Sequence, residues 1–320
     1  MLKKRKLGRT GLMVSELSLG GLFISSYGNA FEEAEKAIKR ALELGVNYID
    51  TAPGYMDSEE VLGKVFEKID TPHIISTKLG YKPEPYRAKD KQFLRDAFDQ
   101  SLRLLKRDKV DILMVHEPDR SDKMDWWDDK TTCDGPVMEI LAELKSQGKV
   151  SHVGVGGTTS QEMGNVVATG KFEVLLTAFN YNLIWRDAQK TIFPHAIKHG
   201  MGIVAGSPLH QGNLAKMYSD VEKNPPSGID PLRLEQFKRV YALARDAGLG
   251  LPEMAIRFIL SNPNVSTVLM GARSVQEVEA NVAAAEKGPL PESILRELDV
   301  IGKLLPEKPA GEPIVFQFKE

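Results

Sequence analysis

The 320-residue chain contains one cysteine, Cys133. A lone thiol closes no internal disulfide and builds no cysteine metal cluster, so a reducing compartment fits and no metal is expected. Charge of one sign is also missing, because 42 Lys and Arg face 44 Asp and Glu. Without a basic field there is nothing to hold a phosphodiester backbone, and nucleic acid is not an expected partner. No run approaches the roughly 20 apolar residues of a membrane span. The opening MLKKRKLGRTGLMV lacks the apolar core of a secretory signal. A soluble, cytoplasmic protein without membrane contact is expected. Low-complexity linkers and fixed-period repeats are absent as well, with Asn224-Pro225-Pro226-Ser227-Gly228 the best candidate for a flexible loop. Nothing in the sequence fixes an oligomeric state.

What is present is alternation. Short apolar runs, rich in Val, Ile or Leu, fall at 17–20, 46–50, 73–77, 110–116, 152–156, 174–179, 202–205 and 266–270. Most read as strands buried on both faces. Helical spacing fills the gaps at 31–44, 90–105, 136–144, 187–198, 233–247 and 253–260. In the second of these Phe93, Leu94, Ala97, Phe98, Leu102 and Leu105 share one face. Eight strands alternating with helices predict an α/β fold, a (β/α)8 TIM barrel, as a single domain over 1–320. The first strand is followed by LSLGGLF rather than GxGxxG, so a Rossmann phosphate loop is missing. Two short apolar segments, 3–7 and 12–15, flank Gly8-Arg9-Thr10-Gly11 and predict an N-terminal β-hairpin before the barrel. The tail 306–320 is proline-rich and then apolar, as expected of a segment that docks on the barrel.

Active sites of such barrels form at the C-terminal ends of the strands. Asp50 closes the second strand in NYIDTAPGY, Tyr55 follows in the next loop, Lys78 closes the third in IISTKLG, and His116 the fourth in DILMVHEPD. The four make a coherent proton-transfer set. A tyrosine with a pKa near 10 is a poor acid; a neighbouring ammonium is expected to lower that value. An aspartate would hold the lysine charged, and a histidine would orient a carbonyl oxygen and share its proton. Tyr55 then serves as general acid/base while a hydride reaches the carbon. Taken singly, each residue has a plainer reading: a turn cap for Asp50, a structural histidine, a loop aromatic. Lys78 at a strand end also suits a Schiff-base lyase.

The chain resembles the aldo-keto reductases over nearly its whole length. The resemblance rests on LGRTGLMVSELSLGG, NYIDTAPGYMDSEEVLGKVF, STKLG, VDILMVHEPD, GKVSHVGVGG, GSPLHQGNL and GARSVQEVEANV. It implies a catalytic tetrad at Asp50, Tyr55, Lys78 and His116, and an extended nicotinamide cofactor held without a Rossmann motif. The implied cofactor contacts are Asp50, Asn180, Ser207, Leu209, Gln211, Gly212, Gly271, Arg273, Glu277 and Asn281. Gly156, Gly157 and Thr158 stand where the family has a Ser-Asn pair, Asn180 where it has Gln, and Gly206 where it has a stacking aromatic. Arg273, bidentate and always charged, suits the 2′-phosphate of NADP. Glu277, where the family has Gln or Arg, would repel that phosphate and suits the free ribose of NAD. NADP is the first expectation and NAD the second.

The partner implied is a small-molecule carbonyl or sugar. Substrate contacts are expected from Tyr55, His116, Phe23, Trp126 and Trp127, the tryptophans lying in a polar, aromatic insert after the fourth strand. Aromatic faces beside carboxylates suit a polyhydroxylated ligand. The rival function is a cofactor-binding regulatory or sensor barrel, which turnover with a panel of carbonyls would separate from an enzyme.

Overall fold

The computed structural model describes residues 2–319. The hairpin forms from β1 (Lys4–Lys6) and β2 (Met13–Ser15), paired antiparallel with Lys4 opposite Ser15. The barrel strands are β3 (Leu17–Gly20), β4 (Tyr48–Asp50), β5 (Ile74–Leu79), β6 (Val110–His116), β7 (Val150–Gly157), β8 (Val174–Ala178), β9 (Gly202–Gly206) and β10 (Thr267–Met270). They close in the order β10-β3-β4-β5-β6-β7-β8-β9, every neighbouring pair parallel. The helices are α1 (Phe31–Glu43), α2 (Ser58–Phe66), α3 (Lys91–Leu105), α4 (Pro136–Ser146), α5 (Gln161–Ala168), α6 (Ala188–Thr191), α7 (Phe193–Lys198), α8 (Asp220–Lys223), α9 (Pro231–Asp246), α10 (Leu251–Leu260), α11 (Val275–Glu286) and α12 (Glu292–Gly302). Among the described residues no helix is long and apolar enough to cross a membrane.

Side chains alternate across each strand, which divides the core in two. Tyr48, Ile112, Met114, Val174, Leu176, Val204 and Leu269 form one cluster in the barrel lumen, with Leu7 and Val14 of the hairpin. Their strand neighbours Ile49, Leu113, Val115, Leu175 and Ile203 join a larger cluster with the helices. The hairpin thus stops the N-terminal end of the barrel. The Arg5 guanidinium pins it there, donating to the carbonyls of Leu260, Asn262 and Val265 at 2.8–3.0 Å and to Glu16 at 2.7 Å.

Several boundaries differ from the sequence reading, for local reasons. Strand β5 runs past Lys78 because Lys78 and Leu79 still pair with Met114 and Val115 of β6. The helix expected over 187–198 breaks into α6 and α7 around Ile192 and Pro194, whose ring nitrogen has no N–H to continue the ladder. Helix α9 starts two residues early: Asp230 accepts from the N–H groups of Leu232 and Arg233, and Pro231 fills the first turn. The tail docks, with Lys308 N donating to Asp187 and Phe316 buried.

Gly8 shows how tight the stopper is. Its φ is +51°, and a Cβ would lie 2.1 Å from the Gly202 nitrogen at the start of β9. Gly8→Ala is expected to cost about 1–3 kcal/mol of stability, the usual range for overpacking. Urea denaturation checks this, and ligand binding at the opposite end of the barrel is expected to be unchanged in the folded variant.

Candidate active site

Strand parity sets the site. Residues two apart share a face, so Tyr48 and Asp50, Ser76 and Lys78, and Met114 and His116 all point into the lumen at successive heights. Asp50 and Lys78 meet at the top, Nζ to Oδ2 at 2.7 Å, with side chains only 2% and 1% exposed. The second carboxylate oxygen accepts from Ser76 Oγ at 2.5 Å, and that hydroxyl also meets Tyr48 Oη at 2.9 Å. The ammonium donates again to the Thr51 carbonyl at 2.7 Å. Tyr55 comes from the turn after β4, held by its N–H to the Ala52 carbonyl. The Lys78 ammonium lies 4.7 Å from the centre of its ring. His116 meets Tyr55 edge-on, ring centres 5.7 Å apart. The four residues expected to act together are therefore brought together.

Their electrostatics correct one expectation. Burial pushes the Tyr55 phenol up; Lys78 pulls it down, but Asp50 pushes it up again, and the net shift is upward. The lysine was expected to lower this pKa; it does pull it down, but burial, with the Asp50 charge, outweighs it. The phenol keeps its proton throughout the neutral range. Burial pulls the Lys78 ammonium down, yet Asp50 and Tyr55 more than offset this and leave it raised. A locked ammonium has no lone pair for attack on a carbonyl, which argues against Schiff-base chemistry. Burial, then the charges of Lys78 and Lys123, hold His116 well below its ordinary value, so the imidazole is neutral. Among the described residues its buried Nδ1 has no hydrogen-bond partner.

From Asp50 and Tyr55 a cleft of about 450 Å³ runs across the top of the barrel. It passes Leu176, Ala178 and Gly206, then Ser207, Leu209, Gln211 and Gly212, and ends at Gly271, Arg273, Glu277 and Asn281. Ser207, His210 and Gln211 all have φ near +50°, and Gly212 lies at +105°. Left-handed backbone costs a non-glycine residue about 1–3 kcal/mol, so this loop is held by its surroundings. At the far end Ser274 caps α11 by accepting from the Glu277 N–H. The first turn of this 12-residue helix offers its remaining N–H groups to a phosphate, with Glu277 as the one carboxylate in it. Backbone loops, a helix N-terminus, Arg273 and Asn281 are a donor set that fits an extended dinucleotide.

Four expected contacts fall elsewhere. Asn180 does not line the cleft, and the chain leaves β8 through the left-handed Phe179 (φ +69°) just before it. Its amide donates back to Thr177 and Ala178. Trp126 and Trp127, placed by the sequence reading against substrate, are 1% and 5% exposed. They pack the insert onto the barrel, against Tyr86 and Phe172 respectively, so their large apolar rings serve the core. Phe23 lines the cleft, but at the end away from Tyr55, beneath the Arg273 guanidinium at 4.9 Å. Glu277 is also committed: its Oε2 accepts from the Arg273 N–H at 2.8 Å.

Other residues gather beside the tetrad, and among them Tyr48, Ser76, Glu117, Lys123 and Glu59 were not foreseen. Tyr81 lies 5.0 Å from His116, ring to ring, and Lys123 donates to its hydroxyl at 3.3 Å and to Glu117 at 3.4 Å. Thr158 also donates to Glu117. Behind Lys78, Glu59 accepts from Thr77 and Ser101 and is raised by burial against those bonds. Period-two counting back from Asp50 and from Lys78 would have found Tyr48 and Ser76. The Glu117–Lys123–Tyr81 group comes from loops, where no period exists.

The model of the aldo/keto reductase family matches residues 16–303. An L-galactose dehydrogenase of Arabidopsis thaliana is 30% identical, covering 88% of this chain and 87% of its own. An L-glyceraldehyde 3-phosphate reductase of Escherichia coli is 27% identical over 88% and 86%. Among solved structures, the aldo-keto reductase AKR11C1 from Bacillus halodurans in its holo form superposes with a TM-score of 0.75 at 26% identity, covering 94% of this chain and 96% of that one. Barrel, hairpin and sequence match agree: the chain belongs to the aldo/keto reductase family, as a nicotinamide-dependent oxidoreductase.

Proposed function

We propose that Tyr55 is the proton donor and acceptor in a reversible carbonyl–alcohol interconversion at the top of this barrel. The observation that carries the reading is the Tyr55 phenol lining the cleft beside the buried Asp50–Lys78 pair, its pKa held up by burial. A bound reduced nicotinamide supplies hydride. Tyr55 gives its proton to the carbonyl oxygen, and the fixed Lys78 charge stabilises the phenolate left behind. Asp50 holds that charge in place through the reaction. His116, being neutral, offers an N–H to the oxygen without competing for its proton.

The cofactor proposed first is NADP. Arg273 presents its guanidinium at the adenosine end, over Phe23. Glu277, the argument for NAD, has one carboxylate oxygen occupied by the Arg273 N–H, which weakens its claim on a ribose hydroxyl. Ser207, Leu209, Gln211 and Gly212 would bound the pyrophosphate, and Asn281 the adenine. The proposed substrate is a polyhydroxylated carbonyl. Glu117 and Lys123 set a polar rim beside His116, and the two relatives named above carry sugar or sugar-phosphate names.

Binding of NADPH against NADH by fluorescence titration, followed by turnover on sugars and simple aldehydes, tests this directly. No turnover with any carbonyl would favour the sensor reading. Tyr55→Phe is expected to lower reduction by about 10²–10⁴-fold, the usual contribution of a general acid, with cofactor affinity retained. Near-normal turnover would remove Tyr55 from the chemistry. Because the phenol is raised, the acid form persists to higher pH. Reduction is therefore expected to stay level from about pH 6 to 9 and to fall only above about 10. A fall centred near neutrality would mean that the lysine lowers the phenol after all. Arg273→Ala is expected to weaken NADPH by about 10- to 100-fold, the scale of a lost charge-assisted contact, and NADH far less. Equal losses for both cofactors would place Arg273 away from the 2′-phosphate.

A further inference from the structure

We propose that the C-terminal tail is a strap that fixes the cofactor loop after β9, with His210 and Asn213 as its positioning residues. The proposal rests on the reading that Ser207–Gly212 bounds the cofactor. The loop's cleft-facing residues, Ser207, Leu209, Gln211 and Gly212, hold three of the left-handed conformations described above, and His210 between them a fourth. Intervening side chains point the other way, toward the tail. His210 is fully buried, and its Nε2 donates to the Ile314 carbonyl at 2.5 Å. Its Nδ1 accepts from the Asn182 amide at 3.1 Å. The ring stacks on Trp185 with centres 3.6 Å apart and planes 6° from parallel.

Asn213 makes a two-way bridge to one tail residue. Its amide donates to the Phe316 carbonyl at 2.7 Å, and its oxygen accepts from the Phe316 N–H at 2.8 Å. The tail is anchored in turn by Glu312. That carboxylate is 3% exposed and pairs with the equally buried Arg233 at 2.7 Å, while accepting from Trp185 Nε1 at 2.8 Å. Arg233 lies over the other partner of the stack, 4.9 Å from the Trp185 ring. Ion pair, indole and imidazole thus form one connected unit from tail to loop. Burial holds His210 down to about 3, so the imidazole stays neutral and this unit does not respond to physiological pH. Its effect is to hold in place a backbone that its own residue types disfavour.

Full-length Asn213→Ala and His210→Phe test this. The first removes both bonds to Phe316, and the second keeps a flat ring on Trp185 but loses the bonds to Ile314 and Asn182. Two readouts are needed. In the cofactor-free protein, hydrogen exchange of amides 207–214 is expected to speed up at least tenfold, with β4, β5 and β6 unchanged. NADPH Kd is expected to rise at least tenfold, while kcat at saturating cofactor and the carbonyl KM stay within about twofold. Unchanged exchange in both variants would overturn the strap, whatever the cofactor does. Faster exchange with unchanged NADPH Kd would leave the tether intact but overturn its role in cofactor binding, and NADPH failing to slow exchange at 207–214 in the unmodified protein would separately remove the loop from the cofactor site. Faster exchange throughout the barrel, with kcat and both affinities falling together, would reduce the tail to general stability and also overturn the proposal.

Discussion

The rest of the site depends on two opposite charges inside a barrel. Removing an ammonium and a carboxylate from water costs several kcal/mol each, and their attraction offsets this only when geometry and hydrogen bonds are good. Here they are: Asp50 receives Lys78 and Ser76, and Lys78 also reaches the Thr51 carbonyl. A buried pair of this kind is a weak stabiliser, and breaking it is expensive because it strands a charge. Its value lies in what it imposes on neighbours. It fixes an ammonium against the Tyr55 ring, keeps that ammonium from becoming a nucleophile, and depresses the basicity of His116.

The barrel makes such a pair affordable by separating its two ends. At the floor the hairpin, Arg5 and Gly8 close the lumen with apolar contact and backbone hydrogen bonds. At the top, strand ends release polar side chains into a cleft bounded by loops. Those loops are not loose. Asp119 ties the turn after β7 through the N–H groups of Thr158 and Thr159. Asn29 reaches across to the Arg273 carbonyl, and Phe23 supports the same residue from below. Rigid placement at both ends of the cleft is what lets a long ligand be oriented at one reacting atom.

Much of this was legible in the sequence, and the reason is periodic. Strands buried on both faces leave unbroken apolar runs, and eight of them interleaved with 3.6-residue patterns specify the barrel and its floor. The tetrad was legible because Asp50, Lys78 and His116 sit at or beside the last inward positions of successive strands. What failed lies in segments with no period. Trp126 and Trp127 read as a sugar platform, since aromatic rings beside aspartates look the same whether a loop presents them or buries them. Asn180 was misplaced because the left-handed Phe179 just before it breaks the strand's alternation, so counting along the strand no longer says where Asn180 points. The sign of the Tyr55 shift failed differently: sequence names the charges but not the desolvation around them, and desolvation was the larger effect.

The same balance decides between two acids at the barrel mouth. A histidine beside a carbonyl is the usual proton donor near neutrality, with an ordinary pKa near 6.5. Burial and two nearby cations remove that option for His116, because protonating it would place a third positive charge beside Lys78 and Lys123. The phenol faces no such obstacle. Burial favours its neutral form, and the Asp50 charge does too, so the proton is in place before a carbonyl arrives. Lys78 opposes that preference only partly, and its attraction grows in importance as the phenolate develops. A fixed cation that contributes little to the neutral phenol and much to the phenolate lowers the barrier rather than the ground state. In the proposed reaction that division favours Tyr55 as the proton donor and His116 as the orienting group, and it follows from where Asp50 and Lys78 are buried.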